Sequence, residues 1–225
     1  EAGHEIVFVW TCRTEKYYGV DESDFRALAK ECKCAYIEGL DIDANLGVIK
    51  NLGAEVCISM NWITMLTSAF RSLFRYGVLN AHAGDLPRYR GNACPNWAIL
   101  NFEDRIGLTI HKMVDELDAG PYLVKEFLYI DSETYIENVY DWLSSTVPLA
   151  FVKSIEMLKN SGFMEQDSDI KPVRTFPRKP EDSRINWNDS VRNIIALIRA
   201  SSHPFEGAFC FMDNVAREKV VVFRA

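Results

Sequence analysis

The sequence predicts an α/β domain with a parallel sheet. Short, uninterrupted apolar runs alternate with helical segments over the first half of the chain, as is typical of strands buried on both faces. The predicted strands are residues 6–10, 35–37, 56–59 and 77–81, and the predicted helices are 23–32, 43–52 and 64–74. Gly53 follows the second of these helices, where a glycine commonly ends a helix in the left-handed conformation.

The second half of the chain continues this pattern and then changes. Strands are predicted at residues 108–113 and 122–129, and a long helix at 134–159 that Pro148 should kink or split. Residues 167–181 are rich in proline and charge, which predicts a linker. A helix at 191–200 and a hairpin of residues 208–212 and 219–224, turning at Asp213-Asn214, follow it. The first three residues look like the end of a helix, so we expect one βα unit of roughly 20 residues to precede them.

Composition excludes several classes of function. The net charge is −7 and the pI about 5.2, which argues against a nucleic-acid partner because such proteins usually carry a basic face. The chain shows neither an apolar run near the roughly 20 residues of a membrane span nor a signal peptide, so we expect a cytoplasmic protein without membrane contact. The six cysteines lack zinc-site spacing, and no metal is expected.

One strand end carries residues suited to acyl transfer. Asn80 and His82 stand two apart at the end of a predicted strand, so both side chains should point to the same side. In open α/β sheets ligands bind at that end. An amide can stabilise a developing oxyanion, an imidazole can move a proton near pH 7, and a carboxylate such as Asp118 can orient it. Each of these residues alone would more often be structural.

The wider motif resembles a known family. The motif consists of Asn80, His82, a Leu-Pro-x-Tyr-Arg-Gly run ending at Gly91, and then Asp118 and Gly120. It is similar to that of the folate-dependent formyltransferases. Further stretches resemble the branch that formylates nucleotide-linked sugars, in particular the domain acting on UDP-4-amino-arabinose. These stretches are residues 94–97, 107–113, 115–120, 178–182, 185–187, 198–200 and 204–209.

The resemblance implies a domain plan and a set of site residues. It implies a Rossmann-like catalytic domain with linker at residues 1–182 and the start of a small C-terminal domain at 183–225. The implied catalytic residues are Asn80, His82 and Asp118. The residues implied for binding the co-substrate 10-formyltetrahydrofolate are Met60, Asn61, Trp62, Ile63 and Asp115. The residues implied for binding the amino sugar are Arg88, Tyr89, Arg90, Trp97 and Arg178.

The same resemblance implies a reaction. The acceptor would be the amino group of a dTDP- or UDP-linked dideoxy sugar used for surface polysaccharide, and a homodimer is a further expectation. Asn80 would stabilise the oxyanion, His82 would act either as base or as cation, and Asp118 would orient His82 and relay a proton. Asp85 departs from the family's usual pattern and is expected to place a negative charge near the acceptor. His111 lies in a predicted strand, so it is expected to be a core residue. Methionyl-tRNA formylation and a non-catalytic folate- or nucleotide-sugar-binding module are the alternatives.

Overall fold

A computed structural model describes residues 3–14, 19–160, 162–212 and 218–225. The chain divides into two compact units, one of residues 1–80 and 112–115 and one of residues 81–111 and 116–225. The predicted boundary between residues 182 and 183 falls inside the second unit, and it stays a prediction. Across the described ranges, every helix is too short or too polar to cross a membrane.

The first unit alternates strands and helices, as the apolar runs predict. Its strand pairs β1–β2 and β3–β4 are both parallel, which confirms the predicted α/β class with parallel pairing. The last two residues of β4 belong to the second unit. The elements are β1 (Phe8–Thr11), α1 (Glu22–Cys32), β2 (Ala35–Glu38), α2 (Ile42–Leu52), β3 (Cys57–Ser59), α3 (Ser68–Arg71) and β4 (Val78–His82).

Local polar contacts fix both long helices of this unit. The Asp21 carboxylate accepts from the backbone N–H of Ser23 at the start of α1, and Asp24 accepts in return from the Asp21 N–H, forming a capping box. Asp41 caps α2 by accepting from the Ala44 N–H. Gly53 ends α2 with φ 69°, so the predicted glycine cap is confirmed.

The predicted helix at residues 64–74 is mostly wrong, because only Ser68–Arg71 is helical. Leu66, Phe70 and Phe74 recur every four residues, a spacing that imitates a helix face. All three are buried in the core of the first unit, yet only Phe70 lies in the helix, with Leu66 before it and Phe74 after it. The remaining members of that cluster are Ile37, Ile42, Ile49 and Val78.

The second unit contains a long hairpin and the longest helix. β6 (Arg105–Lys112) runs antiparallel to β7 (Tyr122–Tyr129), and the turn between them carries Asp118. Pro148 does not split α5 (Ile136–Asn160), which is one helix of 25 residues. Buried apolar residues on both sides of the proline, Val147 and Phe151 among them, hold the helix across the lost hydrogen bond.

The remaining elements follow the predictions in outline. α6 (Val191–Ser201) matches the predicted helix, and β9 (Ala208–Phe211) pairs antiparallel with β10 (Lys219–Val222) as the predicted hairpin requires. The predicted turn at Asp213-Asn214 lies outside the described residues. β5 (Tyr89–Gly91) and α4 (Cys94–Leu100) lie outside the predicted elements.

The predicted linker is partly ordered into the second unit. Residues Val173–Thr175 form β8, which pairs parallel with β5, and a 3-10 helix covers Pro180–Ser183. Gly91 allows this pairing, because a Cβ atom there would lie 2.1 Å from the carbonyl oxygen of Thr175. Its φ of 113° also lies in the region that side chains disfavour. Backbone approach therefore requires glycine at this position.

We expect Gly91→Ala to lower the free energy of unfolding by about 2 kcal/mol or more, because the methyl group meets a backbone oxygen. Gly47→Ala is the matched control, since Gly47 lies inside α2 with no atom within 4 Å of its added Cβ. That substitution should stabilise by up to about 1 kcal/mol. Denaturant unfolding of both variants is the measurement. Equal stability of the Gly91 variant and the wild type would contradict the close approach of β5 and β8.

Candidate active site

The candidate site begins on β4, the strand that carries Asn80 and His82. Val78, Leu79 and Ala81 are buried, so the strand is fixed by its packing. Asn80 and His82 alternate with Ala81, so both side chains leave the same side of the strand. Asn80 is half-buried and His82 is 7% exposed. The shared role of this amide and imidazole in catalysis stays a prediction.

The Asp118 carboxylate is buried between two imidazoles. Its Oδ2 lies 3.6 Å from His82 Nδ1, and its Oδ1 lies 3.6 Å from His111 Nε2. The backbone N–H of Gly91 donates to the same carboxylate at 2.9 Å. Asp118 is 9% exposed and His111 is 2% exposed. A buried carboxylate requires such partners, because removing it from water without them is costly.

β5 presents backbone groups to both His82 and Asp118. Tyr89 O accepts from His82 Nε2 at 2.8 Å, and the Gly91 N–H reaches Asp118. The opposite edge of β5 faces β8, where Arg88 O accepts from the Val173 N–H. Alternate residues of a strand direct their backbone groups to opposite edges, so one short strand serves both contacts. This placement explains why the Tyr-Arg-Gly run follows the histidine closely in sequence.

The Nε2 side of His82 is closed by the chain. A Cβ added to Gly84 would lie 2.4 Å from His82 Nε2, so only glycine leaves room for the ring. The Cys94 sulfur lies 3.6 Å from the same nitrogen and 3.2 Å from Thr175 Oγ1. Both nitrogens of His82 therefore face groups of the protein.

These surroundings favour the charged ring of His82. Burial lowers the pKa of His82, but the neighbouring Cys94 sulfur, the Asp118 carboxylate and the Tyr89 carbonyl outweigh it and raise the pKa to about 9. At neutral pH the ring is then an imidazolium. Since this pKa lies above the ordinary 6.5, the stability that the charged ring contributes is complete below pH 6.5. That contribution is lost as the pH rises through 9.

Arg88 and Tyr89, predicted to bind substrate, meet at Glu103. Arg88 donates to Glu103 Oε1 at 2.6 Å, and the Tyr89 hydroxyl donates to the same oxygen at 2.7 Å. The Tyr89 ring is buried, and burial raises the pKa of its hydroxyl to about 12, which keeps the hydroxyl neutral. Both residues line a cavity of about 300 Å³, whose wall also includes Gly84 and Cys94.

The other three residues predicted to bind substrate make contacts within the second unit. Arg90 donates to Glu116 at 2.8 Å and to Gln166 at 2.9 Å, and Trp97 Nε1 donates to the Phe176 carbonyl at 2.9 Å. Arg178 donates to the Ala200 carbonyl at 3.0 Å, near the end of α6. Further contacts of Arg178 are with Asp182 O, Ser183 Oγ and Ser201 Oγ. Its role toward a substrate stays a prediction.

The residues predicted to bind folate lie in the first unit. Met60 and Ile63 are exposed in the loop after β3, and Asn61 adopts a positive φ of 54°. Trp62 packs edge-on against Trp10, with ring centroids 5.3 Å apart. An aromatic wall beside exposed apolar side chains suits a flat ring system.

Two acidic residues of the motif are compensated by cations. Asp115 is largely exposed and pairs with Arg71 in the first unit. Asp85 was expected to direct a negative charge at the acceptor, but its carboxylate lies 3.1 Å from Arg105 and 3.6 Å from Lys125. The negative charge of Asp85 is therefore compensated within the second unit and is not directed at an acceptor.

Sequence reasoning missed two neighbours of His82 and Asp118. His111 is a buried strand residue as expected, but it also contacts Asp118. A buried imidazole just before a turn that carries an aspartate was the available signal. The sequence gives no role to the Cys94 thiol, whose contact with His82 depends on a fold that brings α4 back to β4. No sequence spacing reveals that contact.

Comparison with known proteins identifies the family. Residues 25–155 match the family described as formyl transferase, and residues 178–225 match the formyl transferase C-terminal domain. The first match spans more than half of the chain, so this chain belongs to the formyltransferase family, whose enzymes transfer formyl groups. The methionyl-tRNA formyltransferase of Fusobacterium nucleatum is 31% identical over 214 residues, covering 92% of this chain and 68% of that protein.

Solved structures share the fold at lower identity. A 4-N formyltransferase from Francisella tularensis matches with a TM-score of 0.70 at 18% identity, over 97% of both chains. HypX from Aquifex aeolicus in complex with tetrahydrofolic acid matches with a TM-score of 0.72 at 15% identity. The match to HypX covers 98% of this chain but only 38% of the length of HypX. The predicted formyltransferase is thus confirmed at the level of the family, whereas the sugar branch stays a prediction.

We expect NMR titration of the imidazole nitrogens to give His82 a pKa near 9, because Cys94, Asp118 and the Tyr89 carbonyl stabilise the imidazolium. His82→Ala identifies the resonance. Asp118→Asn keeps an acceptor for the Gly91 N–H but removes the charge, so it should lower the His82 pKa. A His82 pKa at or below the ordinary 6.5 in the wild type would contradict this electrostatic account.

Proposed function

We propose that this protein transfers the formyl group of 10-formyltetrahydrofolate to the amino group of a nucleotide-linked amino sugar. The observation on which this chemistry rests is the buried Asp118 carboxylate, which lies between His82 and His111. His82 stands two residues after Asn80 on β4. Family membership supports formyl transfer. The tetrahydrofolic acid in HypX, which shares the fold, supports the choice of donor.

The proposed reaction proceeds through a tetrahedral intermediate. The neutral sugar amine attacks the formyl carbon, a new C–N bond forms, and the carbonyl electron pair moves to oxygen. Asn80 donates a hydrogen bond to that oxyanion. The intermediate then collapses, the bond to the folate nitrogen breaks, and one proton passes from the amine to the leaving nitrogen. Asp118 assists this proton relay.

For His82 we propose a cationic role rather than that of a base. Its pKa of about 9 makes the ring an imidazolium at neutral pH, and both ring nitrogens face protein groups. A charged ring near a developing oxyanion lowers the barrier, because that oxygen carries its full charge only in the intermediate. Asp118 keeps the ring charged and oriented.

Several observations support a small sugar acceptor. The net charge of −7 disfavours a partner rich in phosphate. The motif around Cys94–Trp97 and the stretch at residues 178–187 resemble the sugar-formylating branch. Arg88 and Tyr89 line a cavity of about 300 Å³, a size suited to a small molecule. Formylation of a sugar would serve surface polysaccharide synthesis.

Methionyl-tRNA is the second candidate acceptor. A specific observation favours it, since the methionyl-tRNA formyltransferase of Fusobacterium nucleatum shares 31% identity over 92% of this chain. The two acceptors differ in the electrostatics that they require. Binding to tRNA needs clustered Lys and Arg side chains and weakens steeply with salt, whereas a sugar nucleotide needs a few polar contacts.

The test is a competition assay with a radiolabelled formyl donor. Panels of dTDP- and UDP-linked 3-amino and 4-amino sugars are mixed with methionyl initiator tRNA at equal concentration. We expect label on an amino sugar and none on the tRNA. Label on the tRNA alone would overturn the proposed acceptor. Binding of the donor without transfer to any acceptor would favour a non-catalytic binding module.

Variants of the catalytic residues serve as controls in the same assay. Asn80→Ala, His82→Ala and Asp118→Ala should each lower turnover by at least about 100-fold, the scale of losing an oxyanion donor. His4→Ala is the matched histidine control, because His4 is exposed near the terminus and should be neutral.

A further inference from the structure

The catalytic turn after β6 holds Asp118 in an unfavourable backbone conformation. Its φ is 53°, in the left-handed region that residues other than glycine seldom occupy. Such conformations persist only where the surroundings enforce them. Within the turn itself, the Ala119 N–H donates to the Glu116 carbonyl at 3.4 Å, and further contacts reach the turn from outside it.

Gln166 binds two backbone carbonyl groups of this turn. Its side-chain nitrogen donates to the carbonyl oxygen of Asp118 at 2.8 Å and to that of Gly120 at 2.7 Å. One amide thus binds the two carbonyls that flank Ala119. These contacts span 48 and 46 residues of sequence, so they join the segment just before the predicted linker to the catalytic turn.

A second set of contacts orients Gln166 itself. Its side-chain oxygen accepts from Arg90 NH2 at 2.9 Å, while Arg90 NH1 donates to Glu116 at 2.8 Å. Two residues before Gln166, Met164 exchanges two backbone hydrogen bonds with Tyr122, each 2.8 Å long. Arg90 therefore holds the start of the turn at Glu116, and Gln166 holds its end.

Only an uncharged amide satisfies all of these partners. The Gln166 nitrogen has two hydrogens for two carbonyl oxygens, and its oxygen accepts from the Arg90 cation at the same time. A carboxylate would keep the Arg90 contact but would have no hydrogen for either carbonyl. A thioether of similar length would provide neither kind of contact.

We propose that Gln166 is a positioning residue for formyl transfer, holding the turn of residues 116–120 so that Asp118 stays directed at His82. The proposal rests on the catalytic role proposed above for Asp118. Gln166 acts through that aspartate and needs no contact with either substrate. Loss of Gln166 should therefore lower kcat while leaving the affinity for the formyl donor unchanged.

The test compares Gln166→Met with Gln166→Glu. Both variants should lower kcat by roughly 10- to 100-fold, the scale of a displaced catalytic group, with KM for the donor within about 2-fold of wild type. Asn160→Ala is the matched control, because the exposed Asn160 amide also donates to a backbone carbonyl but lies away from the turn. If Gln166→Met does not fold, the kcat of Gln166→Glu alone tests the proposal. A kcat near wild type in the folded variant would overturn the proposal.

A second readout separates this proposal from the proposed function. In Gln166→Met the His82 pKa, measured by NMR, should fall by about 1 unit as the Asp118 carboxylate moves away. An unchanged His82 pKa would mean that Gln166 does not position Asp118. If Asp118→Asn itself keeps wild-type turnover, the catalytic role of Asp118 fails, and the pKa of His82 alone then decides whether Gln166 positions it.

Discussion

The requirement to compensate one buried charge explains much of the second unit. Asp118 is 9% exposed, and a carboxylate so placed needs hydrogen bonds or opposite charge to remain ionised. The chain provides an N–H from β5, a charged imidazole from β4 and a second imidazole from β6. Three strands and the turn after β6 therefore converge on one side chain.

β5 shows how this requirement shapes the surrounding chain. One edge of the strand contacts His82 and Asp118, and the other edge pairs with β8. Gly91 serves both edges, because its N–H reaches Asp118 while its missing side chain leaves room for the Thr175 carbonyl. The glycine of the sequence motif is thus explained by two close contacts at one residue. The segment after α5 is likewise part of the site's support, through β8 and through Gln166.

The sequence predicted what depends on local pattern. Apolar runs predicted the parallel strands, Gly53 predicted a helix end, and the motif predicted His82 and Asp118 as neighbours.

Sequence-based prediction failed where distant parts of the chain determine the local structure. The spacing of Leu66, Phe70 and Phe74 imitates a helix although only Phe70 lies in one. The charge of Asp85 could not be judged without Arg105 and Lys125, which the hairpin brings to it. The contacts of Cys94 with Thr175 and of Gln166 with Asp118 join residues that are far apart in sequence. A local sequence pattern therefore cannot predict them.

The central claim is that His82 and Asp118 act as one charged unit rather than as two independent groups. A double-mutant cycle of His82→Ala and Asp118→Ala on kcat/KM tests it most directly, once a formylated acceptor is known. Residues that act as a unit give strongly non-additive losses, so we expect the double variant to lose little more than the worse single variant, a coupling of about 2 kcal/mol or more. Additive losses, within about 0.5 kcal/mol, would contradict the account.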